Sequence, residues 1–200
     1  MPSIRPAWHT LLVLGVVLCL VTPVSTAAGT RIASWNLKHL GWHNGKDLSA
    51  VARIIGRFDL VAIQEVMHPP AARQLAHIVT QQTGDAWGVT TSRLEGQSSY
   101  RESYAYLWRR SAVRHDPGNS VYVDPGNRFA REPFTAEFTT RDNHTHLTLG
   151  TVHITYGDDR SDRTAEIRTS IITGAGWARP ITAGDCSWAI SIGRRQIRPA

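Results

Sequence analysis

Apolar and polar positions alternate along this chain with changing period, and the changes mark its elements. Residues 11–21, LLVLGVVLCLV, are unbroken apolar sequence. Beyond them RIASWNL, with apolar Ile32 near its start, mixes β-formers with small residues and predicts a first strand. In DLSAVARIIGRF, Leu48, Val51, Ala52 and Ile55 recur at helical spacing behind Asp47, so a helix is predicted with Asp47 as its N-cap. DLVAIQEV is apolar on both faces up to Gln64 and Glu65, the pattern of a strand buried between layers. PPAARQLAHIVTQQTG predicts a second helix, opening after Pro70 and stopped by Gly84.

The texture then shifts to short β-type runs: WGVTTS, SYAYLWRR, SVYVD, FTAEFTT and HLTLGTVHITYG, divided by Pro-Gly and Asp-Asn turn signals. DRSDRTAEIR reads as the opening of a third helix, and after Arg168 the periodicity is lost. With no internal repeat and no low-complexity linker, residues 28–168 are expected to form one α/β domain of two packed sheets with helices outside.

Composition adds little to this until the ends are separated from the body. An apolar fraction of 42% and a charged fraction of 19% are those of a folded globular domain and exclude a disordered chain. MPSIRPAWHT carries a positive end ahead of the apolar run, and TPVSTAAG follows it with small residues, so residues 1–27 read as a signal peptide cleaved near Ala27. The run is well short of the ~20 residues a membrane span needs, and Leu18 before Cys19 argues against lipoprotein processing. The expected location is secreted or periplasmic, with no stable membrane association after cleavage. The other cysteine, Cys186, has no disulfide partner in the mature chain. The formal net charge is +6, but Arg5, Arg179, Arg194, Arg195, Arg198 and Asp185 lie in the two terminal segments. Without those, 17 basic residues face 15 acidic ones, so overall charge does not by itself imply nucleic acid.

Several side chains could carry chemistry. Asn36 and Glu65 each end a predicted strand, where neighbouring strands bring their side chains to one sheet edge. A hard cation such as Mg²⁺ takes carboxylate and amide oxygens in such a place. Glu65 is the sharper case, because a carboxylate ending an apolar strand is costly to bury unless paired or metal-bound; the plainer readings are a turn-forming asparagine and a solvated glutamate. His153 ends another apolar strand, and Glu102 lies in SYRESYAYLW. A carboxylate that orients an imidazole is a common acid/base arrangement, although no spacing pairs these two. Arg131 in AREPF has the donor fork to clamp a phosphate, or is simply a solvated charge before a strand.

RIASWNLKHLG, DLVAIQEV, SYRESYAYLW, AREPF and LTLGTVHI occur in the order of the endonuclease/exonuclease/phosphatase superfamily, and the sequence most resembles its deoxyribonuclease I branch across about residues 30–168. The resemblance implies a four-layer α/β sandwich, two mostly antiparallel sheets flanked by helices, and metal-dependent phosphodiester hydrolysis at the sheet edge. It implies Glu65 as the main metal ligand with Asn36 beside the metal and the scissile phosphate, Mg²⁺ (or Mn²⁺ or Ca²⁺) as the ion, and His153 oriented by Glu102 as acid/base or transition-state stabiliser. Tyr100 and Arg131 would contact the backbone of a nucleic acid, with DNA the expected partner. Two other readings stay open: a phosphatase or sphingomyelinase of the same fold, and a secreted binding module without catalysis.

The family pattern continues with a Gly-Asp-Phe-Asn block and, later, Ser-Asp-His, whose Asp–His pair activates the water. Here Gly184-Asp185 is followed by Cys186, Ser187 and Trp188. Read from the third base of the Asp185 codon, however, the triplets allowed for DCSWAISIGRRQIRPA include a run translating as LFMGDFNWPPADPA. The last two bases of each shifted triplet are fixed by the residues written, except at serine and arginine, where two pairs are allowed. The chain is therefore expected to carry a frameshift between about Arg168 and Thr173, making residues 169–200 an out-of-frame tail, Asp185 an accidental aspartate, and the product a C-terminally truncated domain of negligible activity with an open sheet edge.

Overall fold

The computed structural model describes residues 29–154, 161, 164 and 166–169, and the backbone of 186–192. Strand β1 spans Ile32–Leu40, helix α1 Leu48–Ile55, β2 Leu60–Val66, helix α2 Pro69–Thr83, β3 Trp87–Thr91 and β4 Ser103–Arg109. Strands β5 (Val113–Val121), β6 (Phe134–Thr140), β7 (His146–Val152) and β8 (Cys186–Ile192) follow. Two four-stranded sheets result, ordered β1-β2-β4-β3 and β5-β6-β7-β8. β1 and β2 are parallel, as strands joined through a helix must be, and β2–β4, β3–β4, β5–β6 and β6–β7 are antiparallel. This is the expected α/β class with its two mostly antiparallel sheets.

Alternation within β2 and β4 explains the layering. All seven residues of β2 are buried. Val61 and Ile63, with Ala105 and Leu107 of β4, point to one face and pack with Ala52, Ile55, Ala72, Leu75 and Val79 of the helices. Leu60 and Ala62, with Tyr104, Tyr106 and Trp108, point to the other face and meet Phe134, Ala136, Phe138, Leu147 and Leu149 of the second sheet. The first sheet is thus the middle layer between helices and second sheet, which is why its central strands read as continuous apolar runs. α1 is capped by Asp47, whose carboxylate accepts from the Ala50 amide at 2.9 Å. α2 has prolines at its first positions and stops at Gly84, whose φ of 72° is left-handed.

Two expectations need correction. Pro117-Gly118 does not divide strands: β5 runs through it, with a register shift between Asp116 and Ser120. As the edge strand of its sheet, β5 tolerates a proline that lacks an N–H, and the bulge absorbs the extra residues. Nor is the edge of β7 open, because Cys186–Ile192 runs parallel to it, from His146↔Cys186 to Val152↔Ile192. An unpaired strand edge offers a row of backbone donors and acceptors to any β-capable segment, and SWAISI supplies β-formers. The third predicted helix is borne out at the described residues 161, 164 and 166–169, which are helical. The signal peptide and Asp185 lie outside the described residues.

Polar ties hold the two sheets in register near the ends of β2 and β7. The Gln64 amide donates to Thr151 Oγ1 at 2.8 Å and to Ser34 Oγ at 3.1 Å. The Tyr106 hydroxyl donates to the Leu149 carbonyl at 2.8 Å. At the opposite end of β2, Asp59 accepts from Arg31 and pairs with Arg109 at 3.3 Å. Burial alone would raise the Asp59 carboxyl, but the hydrogen bonds and charge of Arg31, with the charge of Arg109, hold it below the usual carboxylate range.

Candidate functional site

Asn36 within β1, Glu65 near the end of β2 and His153 just past β7 bring the sequence-predicted residues together; β1 runs on to Leu40, so Asn36 lies inside the strand it was expected to end. Asn36 and Gln64 are register partners in the parallel pair β1–β2, and the register then slips between Asn36 and Leu40. The same slip occurs on the other flank of β2, between Ile63 and Val66. Its cause is Glu65, whose φ of 58° is left-handed. Strict alternation would leave the Glu65 side chain on the helix-facing side with Ile63. The positive φ breaks the alternation and lets the carboxylate reach the strand ends. Lys38 (45°) and His39 (62°) are left-handed as well. Each such non-glycine conformation costs about 1–3 kcal/mol, and here three of them surround one carboxylate.

Glu65 is 3% exposed. Its Oε1 accepts from Asn36 Nδ2 at 2.9 Å, and its Oε2 accepts from the His39 amide at 3.1 Å, with the His39 ring nitrogen 3.4 Å away. Asn36 Nδ2 also lies 3.3 Å from His153 Nε2. On the far side of that ring, His153 Nδ1 is 2.7 Å from Glu102 Oε1. Four side chains therefore form one chain: Glu102, His153, Asn36, Glu65. Its geometry fixes the tautomer. A carboxylate can only accept, so Nδ1 carries the proton toward Glu102, and in that tautomer Nε2 turns a lone pair to the second hydrogen of the Asn36 amide, 3.5 Å from Glu65 Oε1.

Glu102 is fully buried. Its Oε1 also lies 3.7 Å from Arg131 Nε, while Oε2 has no hydrogen-bond partner among the described residues. Arg131 donates from Nε and Nη2 to the His153 carbonyl at 3.1 and 3.0 Å. The Tyr104 hydroxyl accepts from the His153 amide at 3.0 Å. Burial first, and the Glu102 charge second, push that hydroxyl well above its usual value, so it stays protonated at any working pH. His153 is thus held through its amide, its carbonyl and its ring. Tyr100 stands at the rim, edge-on to His39 (centroids 6.1 Å apart) and to Trp42 (6.0 Å).

All six sequence-predicted residues, Asn36, Glu65, Tyr100, Glu102, Arg131 and His153, fall in this patch. Arg131 differs in its surroundings from a solvated charge: the donors just described are spent on the His153 carbonyl. Sequence reasoning missed His39, Gln64 and Tyr104, which support the patch. Of these only Gln64 left a trace, as an amide closing an apolar strand, which needs partners when buried.

Among the described residues no group of three or more His, Cys, Asp or Glu could hold a metal ion. The Glu65 carboxylate nevertheless fits a hard cation that keeps most of its waters and takes one or two carboxylates together with substrate oxygens, whereas Asn36 turns its NH2 to Glu65 and its Oδ1 to the Lys38 amide at 2.8 Å and would have to reorient to join it. They do not fit a structural zinc site, which wants four nitrogen or sulfur ligands. No helix among the described residues is long and apolar enough to cross a membrane.

Known proteins share both the sequence and the fold. The chain is 47% identical over 152 residues to a deoxyribonuclease of Thioalkalivibrio sp. (strain K90mix), covering 76% of this chain and 42% of that one. It is 29% identical over 139 residues to human deoxyribonuclease-1, covering 64% and 49%. It thus spans less than half the length of either relative. No protein-family model matches. An endonuclease/exonuclease/phosphatase family protein from Bacteroides thetaiotaomicron superposes with a TM-score of 0.54 at 11% identity, over 74% of this chain and 59% of that one, which shows a shared fold. With five motifs in order, two sheets in this topology and these relatives, the chain belongs to the endonuclease/exonuclease/phosphatase superfamily, on its deoxyribonuclease I-like branch.

Proposed function

We propose that this site hydrolyses phosphodiesters of DNA with a bound divalent cation, Mg²⁺ foremost, in a protein exported through residues 1–27. The observation that carries the reading is the unbroken path from buried Glu102 through His153 and Asn36 to Glu65. Glu65 and Asn36 would hold the cation, which supplies positive charge against the phosphate. Hydrolysis takes a proton from the attacking water and returns one to the leaving oxygen. His153 Nε2, unprotonated in this tautomer, is the atom that can hold that proton in transit, and the Glu102 carboxylate stabilises the imidazolium formed. Arg131 and Tyr104 keep the ring in place, and Tyr100 lines the approach for a nucleic-acid strand.

We also propose that residues 169–200 are read out of frame. The Gly-Asp-Phe-Asn block is absent from the written frame, and codon degeneracy allows the shifted frame to spell it. The shifted Leu-Phe-Met-Gly-Asp-Phe-Asn falls on positions 186–192, the segment paired with β7. The written chain would then hydrolyse negligibly, and the shifted frame would restore the enzyme. The test is a substrate panel with the frame-restored protein in Mg²⁺. Conversion of supercoiled plasmid to the nicked form, abolished by chelator, supports the reading. Release of phosphate or phosphocholine from phosphate esters and lipids with plasmid intact would replace it with a phosphatase or sphingomyelinase. Plasmid binding indifferent to chelator and to Glu65→Ala, without cleavage, would replace it with a binding module.

A further inference from the structure

Beside the proposed catalytic path lies a feature that the path does not use. Trp42 is 49% exposed, an unusual setting for so large an apolar ring. It is also held firmly. One contact is a stack on His39, with centroids 4.5 Å apart and planes 25° from parallel, and another is the Tyr100 edge. Its amide donates to the His39 carbonyl at 3.2 Å, and its carbonyl accepts from the Asn44 amide at 2.7 Å. The Asn44 side chain ties back to the carbonyls of Lys38 and His39 at 3.3 and 3.2 Å. Gly41 (φ 94°) lets the loop press on the start of α2, where an added Cβ would lie 2.7 Å from His68 Cβ. The ring is therefore displayed by a preorganised loop rather than left over from packing.

Trp42 is also a wall of a pocket of about 410 Å³, shared with His43, Lys46, His68 and Gln74. None of the lining residues is acidic. An aromatic face with nearby ammonium, imidazole and amide donors is a place for a base and its phosphate: stacking holds the base, and the donors hold the anion. Because His39 bonds Glu65 and stacks on Trp42, the platform is one side chain away from the proposed reaction centre.

We propose that Trp42 and this pocket form a nucleotide subsite that stacks an unpaired base next to the scissile phosphate, so that a single-stranded or locally opened stretch of nucleic acid is held more tightly than closed duplex. Bases inside a duplex are already stacked on each other and leave no face for Trp42. The inference rests on the phosphodiesterase reading above and narrows it.

The test is fluorescence titration of the full chain without divalent ions, using a short single-stranded DNA oligonucleotide and an abasic oligonucleotide of equal length. The oligonucleotide with bases is expected to bind more tightly. Trp42→Ala should weaken it by about 5- to 100-fold, the range for loss of one stacked base, and leave the abasic strand unchanged. Trp42→Phe should recover most of the affinity. Equal affinity for both strands, or a Trp42→Ala variant as good as the parent on both, would overturn the subsite while leaving phosphodiester cleavage standing. Binding of neither strand would also overturn the subsite, and phosphodiester cleavage is decided separately by the plasmid test.

Discussion

At the scale of single residues, the site is a buried carboxylate–imidazole–amide–carboxylate chain whose members cannot be exchanged equally. Glu102 is buried with one oxygen on His153 and the other without a hydrogen-bond partner among the described residues. Glu102→Ala leaves His153 Nδ1 and Arg131 facing a cavity and is expected to cost about 3–5 kcal/mol, as breaking a buried ion pair does. Glu102→Gln keeps an acceptor for Nδ1 and should cost far less in stability, but it removes the charge that supports an imidazolium. Urea denaturation of both variants checks the contrast; equal losses would show that charge, not the acceptor, holds His153. Gly41→Ala is a second case. Its Cβ would meet His68 and Ala71 in a left-handed backbone, so a loss of about 1–3 kcal/mol is expected by the same measurement.

These residues were legible in the sequence to different degrees. Glu65 was visible as the polar end of an apolar strand and Asn36 as a polar residue in a mixed one, and burial bears out the concern that such a carboxylate needs partners. The His153–Glu102 contact was not visible, since 51 residues separate them and only the packing of β4 against β7 joins them. The left-handed turn at Glu65, which aims the carboxylate, was also invisible, because φ at a non-glycine position is dictated by surroundings rather than by residue type.

At the scale of elements, the ties between sheets decide where His153 stands. The Tyr104 hydroxyl from β4 accepts the His153 amide just past β7, and the Tyr106 hydroxyl donates to Leu149 within β7. Tyr104→Phe leaves a buried amide without its acceptor, at an expected cost of about 1–3 kcal/mol. In the frame-restored protein it should lower kcat more than it raises KM; an unchanged kcat would show that this tie serves stability alone. Strands β2 and β4 were legible because both faces of each are buried. β5 was not, because Pro117-Gly118 carries a turn signature that the bulged edge of a sheet can accommodate.

Asp59 makes the corresponding tie at the other end of β2, and its carboxyl sits below the usual range. A group with a depressed folded pKa stabilises fully above its unfolded value and loses that contribution as pH falls through the folded one. Stability contributed by the Asp59 pairs with Arg31 and Arg109 should therefore be complete above the ordinary aspartate value of about 3.9 and decline only below it. Asp59→Asn should flatten that part of the acid denaturation curve. A variant curve parallel to the parent's would contradict the assignment.

At the scale of the whole molecule, the two sheets serve as a rigid frame that brings β1, β2 and β7 to one edge, and the deoxyribonuclease I-like branch is assigned on the same residues that build that edge. The loss of pattern after Arg168 was legible, and codon degeneracy allows a shifted frame to spell the missing block. What the amino-acid pattern did not disclose is that positions 186–192 lie along β7. The gene's nucleotide sequence across codons 168–198 decides the frame: triplets that spell the shifted block support it, and triplets that cannot spell it remove it.

The central claim is that Glu65 and His153 carry metal-dependent phosphodiester cleavage, and plasmid nicking in Mg²⁺ tests it most directly. Frame-restored protein, its Glu65→Gln and His153→Ala variants and the 200-residue chain are compared under one set of conditions. The expected result is nicking by the restored parent, a loss of at least about a hundredfold in each variant, of the order seen when a positioned acid/base group is removed, and negligible nicking by the 200-residue chain. Nicking that survives both substitutions and chelator would contradict it, and ordinary enzymatic nicking by the 200-residue chain would remove the frameshift reading.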